Sequence, residues 1–234
     1  MTSTENRWFA AHSGLEASWY DERTEYMTQF LLESRAEVLR RTLAQRTRYM
    51  TVCMENTFHP QNASALVRTC EAFGIQDIHT VETLCRFNPN VDIVRGTDKW
   101  VDIRRHPSTG EALSSLRQAG YRIVATTPHR LDCTPESFDA TGGPFALVFG
   151  TEHAGISDEV IEAADAFIRI PMCGFVESLN VSASASILIY MLMSKVRSSD
   201  IDWQLPGRDR AEILFRWTME SVKDSYRILM KRFG

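Results

Sequence analysis

The sequence predicts an α/β fold built on a mainly parallel sheet that helices cover on both faces. Short apolar runs alternate with helical patterns through the middle of the chain, and strands that alternate with helices are typical of parallel sheets. The chain has 234 residues, of which 44% are hydrophobic, so it is long enough to bury a substantial core. We therefore expect one globular domain of ordinary size with additional helices.

The predicted elements of this domain follow one another between residues 49 and 196. Apolar runs predict strands near 49–54, 78–81, 100–104, 121–125, 145–149 and 167–170. Helical patterns lie between or after them, near 62–73, 108–120, 158–164 and 179–196. Gly74 stops the first of these helices, and Ser108 with Glu111 forms a capping box at the start of the second. We therefore expect successive strand-helix-strand units.

Helical extensions are predicted on both sides of this domain, at residues 1–48 and 197–234. Residues 20–48 carry apolar side chains three and four positions apart, which is typical of an amphipathic helix. Arginines outnumber acids toward the end of this helix, so its basic face is either a solvated surface or a binding surface. A second amphipathic pattern covers 209–233, after a break at Pro206 and Gly207.

Charge and cysteine usage exclude several classes of protein. The formal net charge is −4, which argues against a protein that coats nucleic acid by charge alone. The five cysteines include no Cys-x-x-Cys pair, and we expect them to be reduced core residues rather than disulfide or zinc ligands. No signal pattern occurs at the N-terminus, and no apolar run approaches the roughly 18 residues of a membrane span. We expect a cytoplasmic protein without membrane or metal partners.

Three polar segments lie where a predicted strand leads into a helix. They are the start of the first helix, the glycine-bounded turn at 150–155, and the proline-and-glycine turn before the last helix. The residues that stand out in them are Asn62, Arg68, Glu152, Ser178 and Asn180. Because the segments share this polar chemistry and this kind of position, they point to one binding site.

Each of these residues also has a purely structural interpretation. Asn62 could cap its own helix, and Ser178 and Asn180 could cap the last helix. Glu152 could be a surface acid in an ordinary turn. Arg68 lies among apolar residues, where its guanidinium needs an anionic or carbonyl partner. A structural salt bridge would satisfy that need as well as a ligand would.

The turn at 150–155 has the glycine spacing of a phosphate loop but lacks its chemistry. Ile156 and Ser157 follow it, where the phosphate-binding motif requires lysine and then serine or threonine. No Gly-x-Gly-x-x-Gly fingerprint occurs in the chain. Neither a nucleoside-triphosphate site nor a dinucleotide site is supported, and the acid Glu152 suits a cationic or hydroxyl-bearing ligand better.

Together the three segments resemble the three motifs of the SPOUT class of RNA methyltransferases, most closely the TrmH-type family of tRNA and rRNA ribose 2′-O-methyltransferases. Motif one corresponds to residues 55–74, motif two to 147–157 and motif three to 170–182. The resemblance implies a SPOUT fold whose C-terminal part forms a deep trefoil knot, a rare exception to unknotted topology. It also implies a homodimer with its sites near the subunit interface.

The resemblance further implies S-adenosylmethionine as the cofactor and tRNA as the substrate, with guanosine 18 of the D-loop as the methylated nucleotide. The family's catalytic positions correspond here to Asn62, Arg68, Glu152, Ser178 and Asn180. Its cofactor-binding positions correspond to Thr126, Val148, Phe149, Gly150, Ile170, Met172 and Leu179. We expect RNA to contact the basic residues Arg40, Arg41, Arg46, Arg48, Lys231 and Arg232.

The resemblance gives Arg68 the role of activating the 2′-hydroxyl, but a guanidinium with a pKa above about 12 is a poor base. We therefore expect Arg68 to bind the neighbouring phosphate and to stabilise the developing alkoxide. Two other functions remain open: methylation of rRNA or of a tRNA wobble nucleotide, and RNA binding by a module that keeps the fold without catalysis. The presence of Arg68, Glu152, Ser178 and Asn180 argues against the second of these.

Overall fold

The computed structural model describes residues 3–56, 59–130, 132–151 and 154–234. The chain divides into two compact units. One unit is Thr47–Trp203 and contains the sheet. The other combines Met1–Arg46 with Gln204–Gly234, and the elements described within it are helices.

Six parallel strands, all within the described ranges, form the sheet. They are β1 (Met50–Glu55), β2 (Asp77–Val81), β3 (Asp102–His106), β4 (Arg122–Thr126), β5 (Phe145–Phe149) and β6 (Ala166–Ile168). Their order across the sheet is β3-β2-β1-β5-β4-β6, so Val52 of β1 lies opposite Ile78 on one side and Leu147 on the other. The predicted parallel sheet is confirmed. Because the strands all run the same way, their carboxyl ends meet at one edge.

Helices connect the strands and build the second unit. They are α1 (Ser3–Ala11), α2 (Ala17–Thr28), α3 (Glu33–Leu43), α4 (Pro60–Ala72), α5 (Val91–Val94), α6 (Thr109–Gln118), α7 (Asp158–Ala163), α8 (Val181–Arg197), α9 (Gly207–Ser221) and α10 (Ser225–Phe233). A 3₁₀ helix at Thr97–Trp100 delays the start of β3, which begins at Asp102 rather than near residue 100 as predicted. None of the helices that the structure describes has the length and apolar character to cross a bilayer.

Side chains of the sheet alternate between its two faces, and both faces are apolar. Helices pack on each of them. Met50, Val52 and Met54 of β1 lie in one buried apolar cluster with α4 and α8. Cys53 of the same strand lies in a second cluster with α6 and α7. Full burial of one aliphatic side chain contributes about 1.5–3 kcal/mol, so these two layers supply most of what holds the unit together.

Local signals in the sequence account for several element ends. The Ser108 hydroxyl accepts a hydrogen bond from the backbone N–H of Glu111 at 3.2 Å, which confirms the predicted cap of α6. Gly74 and Gly120 have φ values of 81° and 84°. Since glycine adopts this left-handed conformation without steric cost, the chain leaves α4 and α6 at those two residues.

The predicted helices of the two extensions are each interrupted, so their prediction as single helices is wrong. The first, predicted over 20–48, is two helices, α2 and α3, and the second of these ends at Leu43. The last, predicted over 209–233, is also two helices, separated at Asp224 with a φ of 56°. A left-handed residue costs an L-amino acid roughly 1–2 kcal/mol and cannot continue a right-handed helix.

The helical unit has an aromatic core of its own. Tyr20 and Met27 of α2 are buried with Phe215 and Met219 of α9 and with Leu229 of α10. The ring centroids of Tyr20 and Phe215 lie 5.9 Å apart, a normal separation for an interacting aromatic pair. The amphipathic pattern in the sequence is therefore real, although turns divide it into shorter helices.

Two histidines on neighbouring strands form a hydrogen-bonded pair. Nδ1 of His79 lies 2.9 Å from Nε2 of His106, and His79 is 3% exposed. Burial lowers the pKa of His79 to about 3, with smaller contributions from His106 and from the cation of Arg104. Burial and Arg104 also lower the pKa of His106, against a smaller opposing effect of Glu111. His79 is therefore neutral in the folded protein at neutral pH.

We predict that this histidine makes the fold less stable as the pH falls from about 6.5 to about 3. The unfolded chain binds a proton on His79 near pH 6.5, whereas the folded chain does so only near pH 3, so protonation favours unfolding. The loss for this one group is up to about 1.4 kcal/mol per pH unit. Urea titrations should show a flatter pH dependence of stability for His79→Gln than for the wild-type protein. Equal slopes for wild-type and His79→Gln proteins would contradict the prediction.

Candidate active site

A cavity of about 820 Å³ opens at the carboxyl ends of β4, β5 and β6. Its walls come from residues 126–130 after β4, from 149–151 with 154–156 after β5, and from 168–172 after β6. The fourth wall is the turn and first half of α8, within 177–188. Parallel strands bring these distant segments together because their carboxyl ends share one edge of the sheet. The second and third polar segments of the sequence therefore meet at one place.

The turn after β5 is folded tightly back on itself. Backbone groups of Thr151 and Gly155 exchange two hydrogen bonds, of 2.9 and 3.1 Å. A Cβ atom at Gly150 would overlap the backbone of Gly155 and of Ile156, so only glycine permits this approach. Gly155 itself has a φ of 70°. The predicted site residue Glu152 lies outside the described residues.

A buried carboxylate at the end of β1 fixes the far end of this turn. Glu55 is 4% exposed and accepts hydrogen bonds from the backbone N–H of Ser157 at 2.9 Å and from its hydroxyl at 2.8 Å. The hydroxyl of Thr109 donates a third bond at 2.7 Å. The sequence analysis does not predict a role for Glu55. The signal that could have indicated one is an acidic residue directly after an apolar strand.

The first and third polar segments are joined by their asparagines. Nδ2 of Asn180 donates to Oδ1 of Asn62 at 3.1 Å. Oδ1 of Asn180 accepts from the backbone N–H of Ser182 at 2.8 Å, so Asn180 also caps α8, as its structural interpretation predicted. The capping interpretation of Asn62 is wrong, because α4 begins earlier, with His59 at its N-cap position. Ser178 is exposed and lines the cavity.

Arg68 does not lie in the apolar environment that the sequence suggested. It is exposed, and Nη1 donates to the backbone carbonyl of Ile93 in α5 at 2.8 Å. It is absent from the described lining of the cavity. About 9 Å of helix separates it from Asn62 at the start of α4. The hydroxyls of its neighbour Thr69 and of Ser186 in α8 lie 3.0 Å apart. Arg68 itself lies on the outer surface of α4 beside α5, whereas Thr69 faces α8.

Most of the residues expected to bind the cofactor line this cavity. They are Thr126, Phe149, Gly150, Ile170, Met172 and Leu179. Val148 is fully buried in the second apolar cluster, and its carbonyl accepts a hydrogen bond from the hydroxyl of Thr126 at 3.0 Å. Val148 therefore supports the cavity wall from behind.

The basic residues expected to bind RNA fall into two groups. Arg40, Arg41, Lys231 and Arg232 are exposed on the helical unit. Arg46 is 1% exposed, with its guanidinium carbon 5.1 Å from the ring centroid of Trp217, so its expected place on a solvent face is wrong. Arg48 is bound to the carboxylates of Asp77 and Asp102, each at 3.0 Å. These two arginines stabilise the fold instead.

The parallel sheet, the cavity that motifs two and three line, and the bond from motif one to its rim fit an RNA methylase, and comparison with known sequences gives the family. The sequence model of the SpoU rRNA Methylase family matches residues 49–190. The chain belongs to this family. Within the described ranges, no group of three or more histidine, cysteine, aspartate or glutamate side chains could hold a metal ion.

Relatives resemble the chain over most of its length. A tRNA (guanosine(18)-2′-O)-methyltransferase of Borreliella burgdorferi is 32% identical over 203 residues, which are 87% of this chain and 93% of the relative. The solved structure of a TrmH/SpoU tRNA modifying enzyme of A. aeolicus matches with a TM-score of 0.72 and 31% identity, over 82% of this chain and 98% of the other. The SpoU methyltransferase AviRb of Streptomyces viridochromogenes, solved in complex with AdoMet, matches with a TM-score of 0.57 and 27% identity, over 67% and 64%.

We predict that Gly150→Ala damages the turn after β5, because the added methyl group has no space between the two backbone segments. The variant should unfold with a free energy lower by about 1–3 kcal/mol, the usual cost of overpacking. The matched control is Gly174→Ala, where a Cβ meets no described atom within 4 Å. Urea unfolding of the two variants checks this, and equal stabilities would show that the turn is not tightly packed.

Proposed function

We propose that this protein transfers the methyl group of S-adenosylmethionine to a ribose 2′-hydroxyl of tRNA, at guanosine 18 of the D-loop. The observation that carries the proposal is the meeting of motif two and motif three at one cavity, with Asn62 of motif one bonded to its rim through Asn180. The name of the Borreliella burgdorferi relative, which matches this chain over nearly its whole length, supports guanosine 18.

The cavity suits S-adenosylmethionine in size and in chemistry. Its volume of about 820 Å³ falls within the range of about 300–1,000 Å³ that is usual for small-molecule sites. Phe149, Ile170 and Met172 give it apolar walls for an adenosine. Gly150 lets the turn after β5 pack closely, because a side chain there would overlap the neighbouring backbone. The AdoMet complex of AviRb supports the same ligand.

The chain's part in this reaction is to position two reactants and to manage one proton. When bound, S-adenosylmethionine supplies a methyl group on a sulfonium sulfur, which leaves as a neutral thioether. Thr126, Leu179 and the apolar wall residues would hold it, Ser178 and Asn180 would contact the substrate at the rim, and Asn62 would hold Asn180 or the ribose. Glu152 is proposed to orient the ligand and its own turn. Together these residues would exclude water from the bound cofactor and align the ribose hydroxyl for transfer.

Arg68 is proposed to bind the phosphate beside the target ribose and to stabilise the developing alkoxide, while the proton leaves through phosphate or water. Because Arg68 is exposed and outside the described cavity lining, this role needs a homodimer in which one protomer's Arg68 approaches the cavity of its partner. The exposed face of α4 and α8 suits such pairing, since Tyr190 on α8 is 59% exposed and exposed aromatic residues are enriched at interfaces.

The helical unit is proposed to hold the rest of the tRNA. Arg40 and Arg41 of α3 and Lys231 and Arg232 of α10 are exposed and can pair with backbone phosphates. Such binding weakens as salt rises, because released counterions drive it. We also propose the deep trefoil knot of the SPOUT class for the Thr47–Trp203 unit, and, because tRNA is the substrate, a cytoplasmic location.

Methyl transfer from labelled S-adenosylmethionine tests the function directly. The protein is incubated with an unmodified tRNA transcript, with the same transcript carrying a 2′-deoxy nucleotide at position 18, and with an rRNA fragment. We expect label only in the first, as 2′-O-methylguanosine 18. Transfer to the deoxy transcript or to the rRNA fragment would overturn the assigned nucleotide, and absence of transfer to any RNA would favour a binding module.

The role of Arg68 is tested in the same assay. Arg68→Ala should lower kcat by about 10²–10³, the usual cost of losing one group that stabilises developing charge, and Arg68→Lys should recover only part of it. Arg95→Ala is the matched control, because Arg95 is an exposed arginine at the end of α5, close to the Ile93 carbonyl that Arg68 contacts. Full activity of Arg68→Ala would remove this role while leaving the fold and the cavity as described.

A further inference from the structure

One wall of the cavity carries basic residues that lie outside the three polar segments. His129 and Arg130 belong to the segment after β4, and Arg169 follows β6 directly. All three line the cavity. Asp158 and Glu177 line it from α7 and from the turn before α8. The cavity therefore presents both cations and acids to a ligand.

The guanidinium of Arg169 has hydrogen-bond donors that the described residues satisfy poorly. Its neighbour Ile168 is buried in the first apolar cluster, and Ile170 packs against that cluster, whereas Arg169 is half-buried at the cavity. Nη1 reaches the carbonyl of Pro128 only at 3.4 Å, a long hydrogen bond. Nε is buried and has no hydrogen-bond partner among the described residues. A buried donor without a partner is unfavourable, and this guanidinium lines the cavity, so it is suited to an anion.

Arg130 lines the same cavity and can contribute to binding the same anion. Its guanidinium carbon lies 4.6 Å from the ring centroid of Phe167 in β6, which is within the range of a cation-π contact. A guanidinium that rests on an aromatic face keeps its N–H groups at the edge free for a planar anion. Arg130 is exposed, so we expect a weaker contribution from it than from Arg169.

We propose that Arg169, assisted by Arg130, binds the α-carboxylate of the methionyl part of S-adenosylmethionine. The proposal rests on the proposed function, which places that cofactor in the cavity. A guanidinium and a carboxylate match in shape and form paired, charge-assisted hydrogen bonds. The acids Asp158 and Glu177 complement the ammonium and sulfonium groups of the same molecule. An RNA phosphate has the same anionic chemistry, but Arg169 is half-buried and lines the cavity, which favours a ligand that enters the cavity itself.

The test compares two ligands that differ by the amino-acid part. S-adenosylhomocysteine carries the carboxylate, and 5′-methylthioadenosine keeps the adenosine and the thioether without it. Calorimetric titration of the full-length protein should show that Arg169→Gln weakens S-adenosylhomocysteine about 10- to 50-fold and leaves 5′-methylthioadenosine within about twofold. Arg130→Gln should weaken the first ligand about three- to fivefold. Arg169→Lys should restore part of the affinity, and the exposed control Arg95→Gln should change neither ligand.

Each other result overturns the proposal in a recognisable way. Equal weakening of both ligands by Arg169→Gln would show that Arg169 only supports the cavity wall. Unchanged binding of both ligands, together with a weaker tRNA complex in filter binding, would assign the guanidinium to an RNA phosphate. Failure of the wild-type protein to bind either ligand would overturn the proposed function, and the carboxylate subsite with it.

Discussion

The buried side chain of Glu55 holds the carboxyl-terminal edge of this sheet in place. Glu55 ends β1 inside the protein, where its side-chain oxygens need hydrogen-bond donors around them. The hydroxyl of Thr109 and the hydroxyl and N–H of Ser157 supply them. Those bonds tie the central strand to the starts of α6 and α7, and thereby fix where the turn after β5 must end. The close approach of Gly150 to Gly155 fixes the same turn from within.

A small number of contacts positions the motif residues relative to that edge. Asn62 and Asn180 lock the start of α4 to the start of α8 at 3.1 Å, although 118 positions separate them in the chain. Arg68 lies farther along α4, on the outside, with a carbonyl of α5 as its partner. A single chain therefore builds the cavity proposed for the cofactor but leaves its proposed phosphate-binding cation on an outer face. That separation is the physical reason for proposing a dimer.

The sequence predicted what local patterns encode. β5 lies where its apolar run placed it, and the Ser108 cap and the Gly74 and Gly120 stops are all confirmed, because each depends on neighbouring residues. Long-range partners were not predictable in the same way. The sequence predicts Arg46 as a surface cation, but in the structure it packs against Trp217, which is distant in the chain. The role of Glu55 likewise depends on a distant residue, Ser157. No glycine or proline lies at the helix break at Asp224, so the sequence does not predict that break.

A crystal structure of the protein with S-adenosylhomocysteine would test the central claim most directly, because it shows where the ligand lies relative to every segment at once. We expect the ligand between the turn after β5, residues 170–172 and the start of α8, with an Arg68 guanidinium from one protomer or its partner near the ligand sulfur. A ligand bound outside this cavity, or an Arg68 far from the ligand in both protomers, would contradict it.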